Sequence, residues 1–166
     1  DPVLGDREAL YDGFTDAHVD AMRELCSLAD LITPNRTEAA LLAGLSFSCA
    51  DETLLYAQQV KNAVITSIKS GNRMGYLARL DGQVSLVQKP YVDQMLHGAG
   101  DVFTSALCGE LLSGRSAQTA LLHAADFCDS CIQETVRRQP GHWYGLAFEP
   151  VLKGKYHESY HQREES

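Results

Sequence analysis

The stretch from Gly98 to Leu107 constrains the fold more than any other part of the sequence. Two glycines one residue apart, Gly98 and Gly100, precede an acid, Asp101, and then an apolar run with helical spacing. Small residues let a backbone turn come close to a ligand, and the first N–H groups of a helix have no partners within it. Anions, phosphate among them, bind at such turns. The stretch therefore predicts a helix that begins at an anion-binding turn.

The acid within this turn has two interpretations. In the first, Asp101 is an ordinary helix cap, since acids are favoured at helix starts. In the second, it is a general base, because a carboxylate repels a resting phosphate but can accept a proton from a hydroxyl that attacks one. Neither the dinucleotide fingerprint nor a Walker loop is present, because Phe103 stands at the third glycine position and no Gly-Lys-Ser/Thr follows.

Composition narrows the classes of partner. The chain has 166 residues, 45% of them hydrophobic, which is enough for one well-packed core, so we predict a single domain. The 14 basic and 22 acidic residues give a net charge of −8, which argues against electrostatic binding to nucleic acid or to an anionic membrane. The sequence shows neither an apolar run of membrane-spanning length nor a signal peptide. We expect a cytoplasmic protein with a small-molecule partner.

The cysteines and histidines predict neither a disulfide framework nor a metal centre. Five scattered cysteines are typical of reduced thiols in a cytosolic protein. Cys128 and Cys131 have the spacing of a redox or zinc pair, but they fall within a helical pattern, and we interpret them as buried small apolar residues. His157 and His161 lack the acid of a zincin motif and are interpreted as solvated.

Strands alternate with helices along the chain. We expect residues 1–6 to be the end of a strand whose beginning is missing. Helices are predicted over residues 15–29, 35–44, 51–61, 98–113 and 116–136, and strands over residues 30–33, 63–68, 74–80 and 83–89, the last two joined as a hairpin by Asp81-Gly82. This order predicts an α/β layered fold with a mainly parallel central sheet flanked by helices and an antiparallel portion.

Polar residues follow several of the predicted strands. Ligands of α/β folds collect where parallel strands deliver their carboxyl ends. Asn35 and Glu38 also have the spacing of a capping box, and the hydroxyls of Thr66 and Ser67 can bond their own backbone. A structural role and a phosphate-binding role therefore stay open for the candidates at this end of the sheet, which are Asp1, Thr33, Asn35, Glu38, Thr66, Ser67 and the turn at 98–101.

Four motifs, in their order and separations, resemble the pyridoxal (pyridoxine, pyridoxamine) kinases of the ribokinase-like superfamily. They are Asp1-Pro-Val-Leu-Gly-Asp6, Ile32-Thr-Pro-Asn35-Arg-Thr-Glu38-Ala, Val64-Ile-Thr-Ser67 and Gly98-Ala-Gly-Asp101-Val-Phe. The resemblance implies that residues 1–152 are the C-terminal portion of one ribokinase-like kinase domain lacking its N-terminal part, with a polar tail over 153–166. It also implies a homodimer for the full-length protein.

The same resemblance implies an activity, namely ATP-dependent phosphorylation of the 5′-hydroxymethyl group of a B6 vitamer. Asp101 would be the base at the substrate hydroxyl, with Gly98, Ala99 and Gly100 as an anion hole. Asp1 and Glu38 would organise Mg²⁺ around the triphosphate, where a monovalent cation such as K⁺ also fits this family. ATP-binding residues implied by the resemblance are Asp1, Thr33, Asn35, Glu38, Thr66, Ser67, Lys89, Pro90, Tyr91 and Val92.

Two alternatives remain at this point. The hydroxymethylpyrimidine (phosphate) kinases of thiamine synthesis share the first two motifs, but they usually carry Cys where this chain has Asp101. The pyridoxal kinases often carry Thr where this chain has Ala99, a difference that keeps the backbone N–H groups. The second alternative is a truncated kinase-like module that binds nucleotide, or nothing, without catalysis.

Overall fold

The computed structural model describes residues 1–94, 96–138 and 145–153. Within these residues a four-stranded sheet lies between helices on its two faces. In chain order the elements are β1 (Gly5–Asp6), β2 (Ala9–Leu10), α1 (Asp16–Ser27), β3 (Leu31–Ile32), α2 (Arg36–Ala43), α3 (Asp51–Ala57), β4 (Asn62–Ser70), β5 (Arg73–Leu80), β6 (Gln83–Pro90), α4 (Ala99–Leu112) and α5 (Ala117–Arg138).

The sheet has the strand order β3-β4-β5-β6, which confirms the predicted α/β layered class. β3 pairs with β4 in parallel, while β4 with β5 and β5 with β6 are antiparallel. Among the described residues the parallel share is thus smaller than in the mainly parallel sheet expected from the sequence. The reason is two tight turns, at Gly71-Asn72 and at Asp81-Gly82, where the chain turns back directly into the neighbouring strand with positive φ at Gly71, Asp81 and Gly82.

Local signals set the helix ends. Thr15 caps α1 in a capping box with His18, and Asn35 caps α2 in a capping box with Glu38. Gly44 ends α2 in the left-handed conformation, as its position in the sequence predicts. The third helix ends at Ala57, four residues earlier than the predicted 51–61.

Residues 1–4 differ from the expectation. They form no strand within the described residues, and the chain instead enters a short antiparallel ribbon of β1 and β2. Pro2 and Leu4 are nevertheless buried, and the Leu4 N–H donates to the Glu38 carboxylate at 3.1 Å. The backbone of Leu4 is therefore hydrogen-bonded to the buried Glu38 side chain and not to a neighbouring strand. The predicted polar tail lies, beyond residue 153, outside the described residues, as do His157 and His161.

Two apolar cores cover the two faces of the sheet. Val64 of β4 packs in one core with the facing sides of α4 and α5, and its neighbours Ala63 and Ile65 pack in the other with α2 and α3. This alternation follows from the period of two along a strand. Cys128 and Cys131 are fully buried in the first core with reduced thiols, which confirms their interpretation as core residues. No helix in the described ranges is long and apolar enough to cross a membrane.

Candidate functional site

The residues predicted from separate motifs converge at the end of the sheet where β4 finishes. Asn35 and Thr66 form a parallel bridge, and the Thr66 N–H donates to the Pro34 carbonyl at 2.9 Å. The strand register brings Pro90, the last residue of β6, level with the end of β4, because Arg73 pairs with both Ser70 and Pro90. Residues from two predicted motifs thus lie side by side, while Pro90 lies level with the last residue of β4.

A row of three oxygen-bearing side chains lies beside this end of the sheet. The Thr33 hydroxyl, on a residue only 2% exposed, lies 2.8 Å from the Thr104 hydroxyl and 3.4 Å from Asp1 Oδ1. Thr104 belongs to α4 and is a residue that the sequence analysis missed. In the sequence it looks like an ordinary helical residue, and the only local signal is its position three residues after Asp101.

The turn at 98–101 has the predicted form. Gly98 precedes α4 in the left-handed conformation with φ +83°, and no side chain caps the helix. Asp101 is exposed within the first helical turn rather than at the cap position, so its interpretation as the helix cap is not confirmed. A Cβ on Gly100 would lie 3.6 Å from Asp1 Oδ2, so the Asp1 carboxylate lies close to the same turn. Two carboxylates thus flank a helix start that favours anions.

Glu38 is 4% exposed, and its carboxylate serves the backbone. Oε1 accepts the Leu4 N–H at 3.1 Å and Oε2 accepts the Asn35 N–H at 2.8 Å. The Asn35 amide in turn donates to the Gly5 carbonyl at 2.8 Å. Burial raises the pKa of Glu38, and hydrogen bonds from the backbone near Asn35, Leu4 and Gly5 oppose that rise. Glu38 and Asn35 together hold residues 4 and 5 against the start of α2.

Thr66 and Ser67 lie at an irregularity of β4. The pairing with β5 is interrupted between Ile65 and Ile68, and Ser67 has a φ of +63°. A positive φ is uncommon for a residue with a side chain and costs backbone strain. The result is that Thr66 is buried beside Asn35, while Ser67 is exposed at the end of the sheet. Such strain recurs at ligand-binding positions, which makes Ser67 a stronger candidate than its sequence alone suggests.

The segment from Lys89 to Val92 is fixed by neighbours from three elements. Lys89 forms an ion pair with Asp126 of α5. The Tyr91 N–H donates to the Asn72 carbonyl at 2.8 Å, and the Lys69 ammonium lies 4.0 Å from the centroid of the Tyr91 ring. Pro90 ends β6 and Val92 follows it, half-buried. The whole segment therefore lies at the same end of the sheet as Thr66 and Ser67.

Buried groups support the turn from the core side. Tyr76 stacks on Phe103 of α4 with ring centroids 4.0 Å apart, and the Cys128 thiol donates to the Ala99 carbonyl at 3.5 Å. Burial raises the pKa of both Tyr76 and Cys128, so both keep their protons at neutral pH. The first turn of α4 therefore packs against uncharged side chains. No group of three or more His, Cys, Asp or Glu side chains within the described ranges forms a metal-binding cluster.

One cavity lies away from these residues. It has a volume of about 330 Å³ and is bordered by α1, α2 and the residues after α3, with Arg23, Cys26, Leu42 and Gln58 among its lining side chains. The Arg23 guanidinium is already held by the carbonyls of Leu41 and Leu42. None of the predicted site residues contributes to its lining, so we assign the candidate site to the open end of the sheet.

Comparisons with known proteins identify the family to which this chain is similar. A family model described as phosphomethylpyrimidine kinase matches residues 1–145. The chain is 30% identical to a pyridoxine kinase of Bacillus subtilis over 81% of this chain and 53% of that protein. It is 30% identical to a hydroxymethylpyrimidine/phosphomethylpyrimidine kinase of Haemophilus influenzae over 72% of this chain and 49% of that protein.

Among solved structures, a pyridoxal kinase from Lactobacillus plantarum superposes with a TM-score of 0.87 at 31% identity, over 97% of this chain and 61% of that one. The ribokinase-like fold expected from the sequence motifs is confirmed by this similarity. The chain spans about half the length of the curated relatives it matches.

Proposed function

The chain belongs to the phosphomethylpyrimidine kinase family, and from that premise we propose that it phosphorylates the 5′-hydroxymethyl group of pyridoxal, pyridoxine or pyridoxamine with ATP. The observation that carries the proposal is the exposed Asp101 carboxylate in the first turn of α4, beside N–H groups that no side chain caps. A proton acceptor and an anion-binding turn at one place are what phosphoryl transfer to an alcohol requires.

In the proposed reaction Asp101 accepts the proton of the substrate hydroxyl as that oxygen attacks the γ-phosphorus of ATP. The new oxygen–phosphorus bond forms while the bond to the β-phosphate oxygen breaks, and ADP leaves with its electron pair. The backbone N–H groups of Gly98, Ala99 and Gly100 stabilise the negative charge of the transferring group. The enzyme contributes mainly positioning and electrostatic stabilisation, and residues held by a rigid sheet and helix start suit both.

We assign the nucleotide to the end of the sheet described above. The exposed and strained Ser67 and the hydroxyl of Thr66 suit phosphate oxygens, and the segment from Lys89 to Val92 suits the adenosine portion because Tyr91 offers an aromatic face. The residues that complete the proposed ATP site are Asp1, Thr33, Asn35 and Glu38.

The donor chemistry of this end of the sheet fits Mg²⁺. Mg²⁺ prefers oxygen ligands and is usually held by one or two carboxylates together with substrate phosphates. Asp1 is exposed and lies close to the anion-binding turn, where a cation would relieve its repulsion of phosphate. Both Glu38 oxygens already accept backbone N–H groups, so we propose that Glu38 acts on the metal through water. Bound there, Mg²⁺ or an accompanying K⁺ would neutralise charge on the triphosphate.

A second candidate function is phosphorylation of hydroxymethylpyrimidine. The name of the matching family and the similarity to the Haemophilus influenzae enzyme favour it. The acid at position 101 favours the B6 vitamers, because the pyrimidine kinases resembled by the first two motifs usually carry Cys there. As further parts of the proposal, we expect a cytoplasmic protein and a homodimer in the full-length form.

Replacing Asp101 by Asn tests the proposed role of this residue. The Asp101→Asn variant keeps the shape of the turn but removes the proton acceptor, so turnover with ATP and pyridoxal should fall by about 10²–10⁴-fold. Binding of Mg·ADP, measured by calorimetry, should stay unchanged or become tighter, because a negative charge beside the phosphates is removed.

The matched control is Asp16→Asn, which removes an exposed acid from the first turn of α1. It causes the same loss of interaction with a helix dipole but should leave turnover unchanged. Unchanged turnover in the Asp101→Asn variant would contradict the assignment of Asp101 as the general base.

A further inference from the structure

The hydroxyls of Thr33 and Thr104 and the carboxylate of Asp1 form one continuous chain of hydrogen bonds when Thr33 donates to Asp1. A carboxylate only accepts hydrogen bonds, and each hydroxyl donates one. The Thr33 hydroxyl lies 3.4 Å from Asp1 Oδ1 and 2.8 Å from the Thr104 hydroxyl. If Thr33 donates to Asp1, then Thr104 must donate to Thr33. The Thr104 proton thus sets the direction in which the Thr33 hydroxyl points.

The other oxygen of the same carboxylate lies near the turn. Asp1 Oδ2 lies 3.6 Å from the place that a Cβ on Gly100 would occupy, so α4 approaches Asp1 closely there. Gly100 and Thr104 are four residues apart on α4 and therefore lie on the same face of the helix. Gly100 thus places α4 near Asp1, and Thr104 connects α4 to Asp1 through Thr33. We expect the separation between the Asp1 carboxylate and the anion-binding turn to depend on both.

We propose that Thr104 is a positioning residue, which orients the Asp1 carboxylate toward the metal–phosphate group through the Thr33 hydroxyl. This inference rests on the proposed function, because it assigns the use of the oriented carboxylate to Mg²⁺ bound with nucleotide. In this proposal Thr104 acts through Thr33 and Asp1 and has no contact of its own with nucleotide or acceptor. Its loss should therefore weaken the metal-dependent part of nucleotide binding and leave the metal-independent part alone.

The test compares Thr104→Val with Thr104→Ser in the full polypeptide. Valine keeps the shape and removes the hydroxyl, whereas serine keeps the hydroxyl and removes the methyl group. Calorimetry measures the Kd of ADP with Mg²⁺ and in the presence of a chelator. We expect Thr104→Val to raise the Kd of Mg·ADP by about three- to tenfold, the worth of one neutral hydrogen bond, with the Kd of metal-free ADP unchanged. Thr104→Ser should restore the wild-type value.

Thr53→Val, an exposed exchange of the same kind in α3, is the matched control and should change neither Kd. The inference is overturned if Thr104→Val binds Mg·ADP like the wild type, or if Thr104→Ser loses as much affinity as Thr104→Val. An equal loss for ADP with and without metal overturns it as well. If the wild-type protein binds no Mg·ADP, the proposed function fails and this inference fails with it. If the wild type binds Mg·ADP but the variants do not behave as expected, only this inference fails.

Discussion

Two acids predicted for the site have opposite surroundings, and this difference separates their roles. Asp101 is exposed in the first turn of α4, where its carboxylate can meet a substrate. Glu38 is buried, and both of its oxygens accept N–H groups of the backbone. The sequence placed both residues in the site through one set of motifs. Only the structure distinguishes an acid that can react from an acid that holds the loops together.

The buried Glu38 predicts a pH dependence of stability. Because burial raises its pKa above the ordinary value of 4.5, the folded state binds this proton more tightly than the unfolded state. The stabilisation that results from this tighter proton binding is therefore fully present below pH 4.5. It is lost as the pH rises through the raised pKa of Glu38. Urea unfolding between pH 4 and pH 8 should show the free energy of unfolding of the wild type falling, relative to that of Glu38→Gln, over this interval.

The reference variant separates charge from hydrogen bonding. Glutamine keeps the shape but offers one acceptor oxygen, so one of the two N–H groups loses its partner at a cost of about 1–3 kcal/mol that does not change with pH. A difference between the two proteins that is constant with pH, or that rises with pH, would contradict the account of Glu38.

Thr104 shows where residue-level prediction from sequence ends. Its hydroxyl contact with Thr33 joins residues 71 positions apart, and nothing in the local pattern of α4 marks it. The candidates that local patterns indicated stand in a turn with glycines or next to a predicted strand end. Those positions are recognisable because the backbone there has free N–H groups or ends a ladder.

At the scale of elements, the features predicted best are those set by local chemistry. The Asp81-Gly82 hairpin, the Asn35 cap and the glycine after α2 all appear where the sequence puts them. The bulge in β4 that turns Ser67 out was not predicted, because it depends on how β4 meets β5. Strand pairing was predicted less well for the same reason, since it is decided by contacts between distant segments.

The glycine that precedes α4 supports a prediction with an internal control. Gly98 and Gly114 flank the same helix with φ of +83° and +79°, and a Cβ would meet nothing closer than 4.0 Å at either. Gly98→Ala and Gly114→Ala should therefore lower the free energy of unfolding by similar amounts, about 1–2 kcal/mol each. Only Gly98→Ala should also lower turnover, by about 10- to 100-fold, because it displaces the N–H groups of the anion hole.

Chemical denaturation and steady-state kinetics on the two variants provide both quantities. Equal turnover in Gly98→Ala and Gly114→Ala would contradict the proposed role of the turn at 98–100 as an anion hole. A stability loss in only one of them would contradict the backbone argument.

At the scale of the whole molecule, the sheet brings residues from both halves of the chain to one place. Two cores hold α2 and α3 on one face and α4 and α5 on the other, and the site lies where elements of both faces meet. The layered α/β class followed from the alternation of strands and helices. In our proposal the acid at position 101 favours a B6 vitamer over a pyrimidine, whereas the turn and the nucleotide side of the site serve either acceptor.

The most direct test of the central claim is therefore a measurement of phosphate transfer to a panel of acceptors. ATP consumption and the phosphorylated product are measured with pyridoxal, pyridoxine, pyridoxamine and hydroxymethylpyrimidine. The panel is run on this chain and on a version carrying any in-frame sequence upstream of Asp1 in its gene. The account predicts a phosphate ester on the 5′-hydroxymethyl group of a B6 vitamer in at least one version. Transfer to hydroxymethylpyrimidine alone, or to no acceptor in either version, would contradict it.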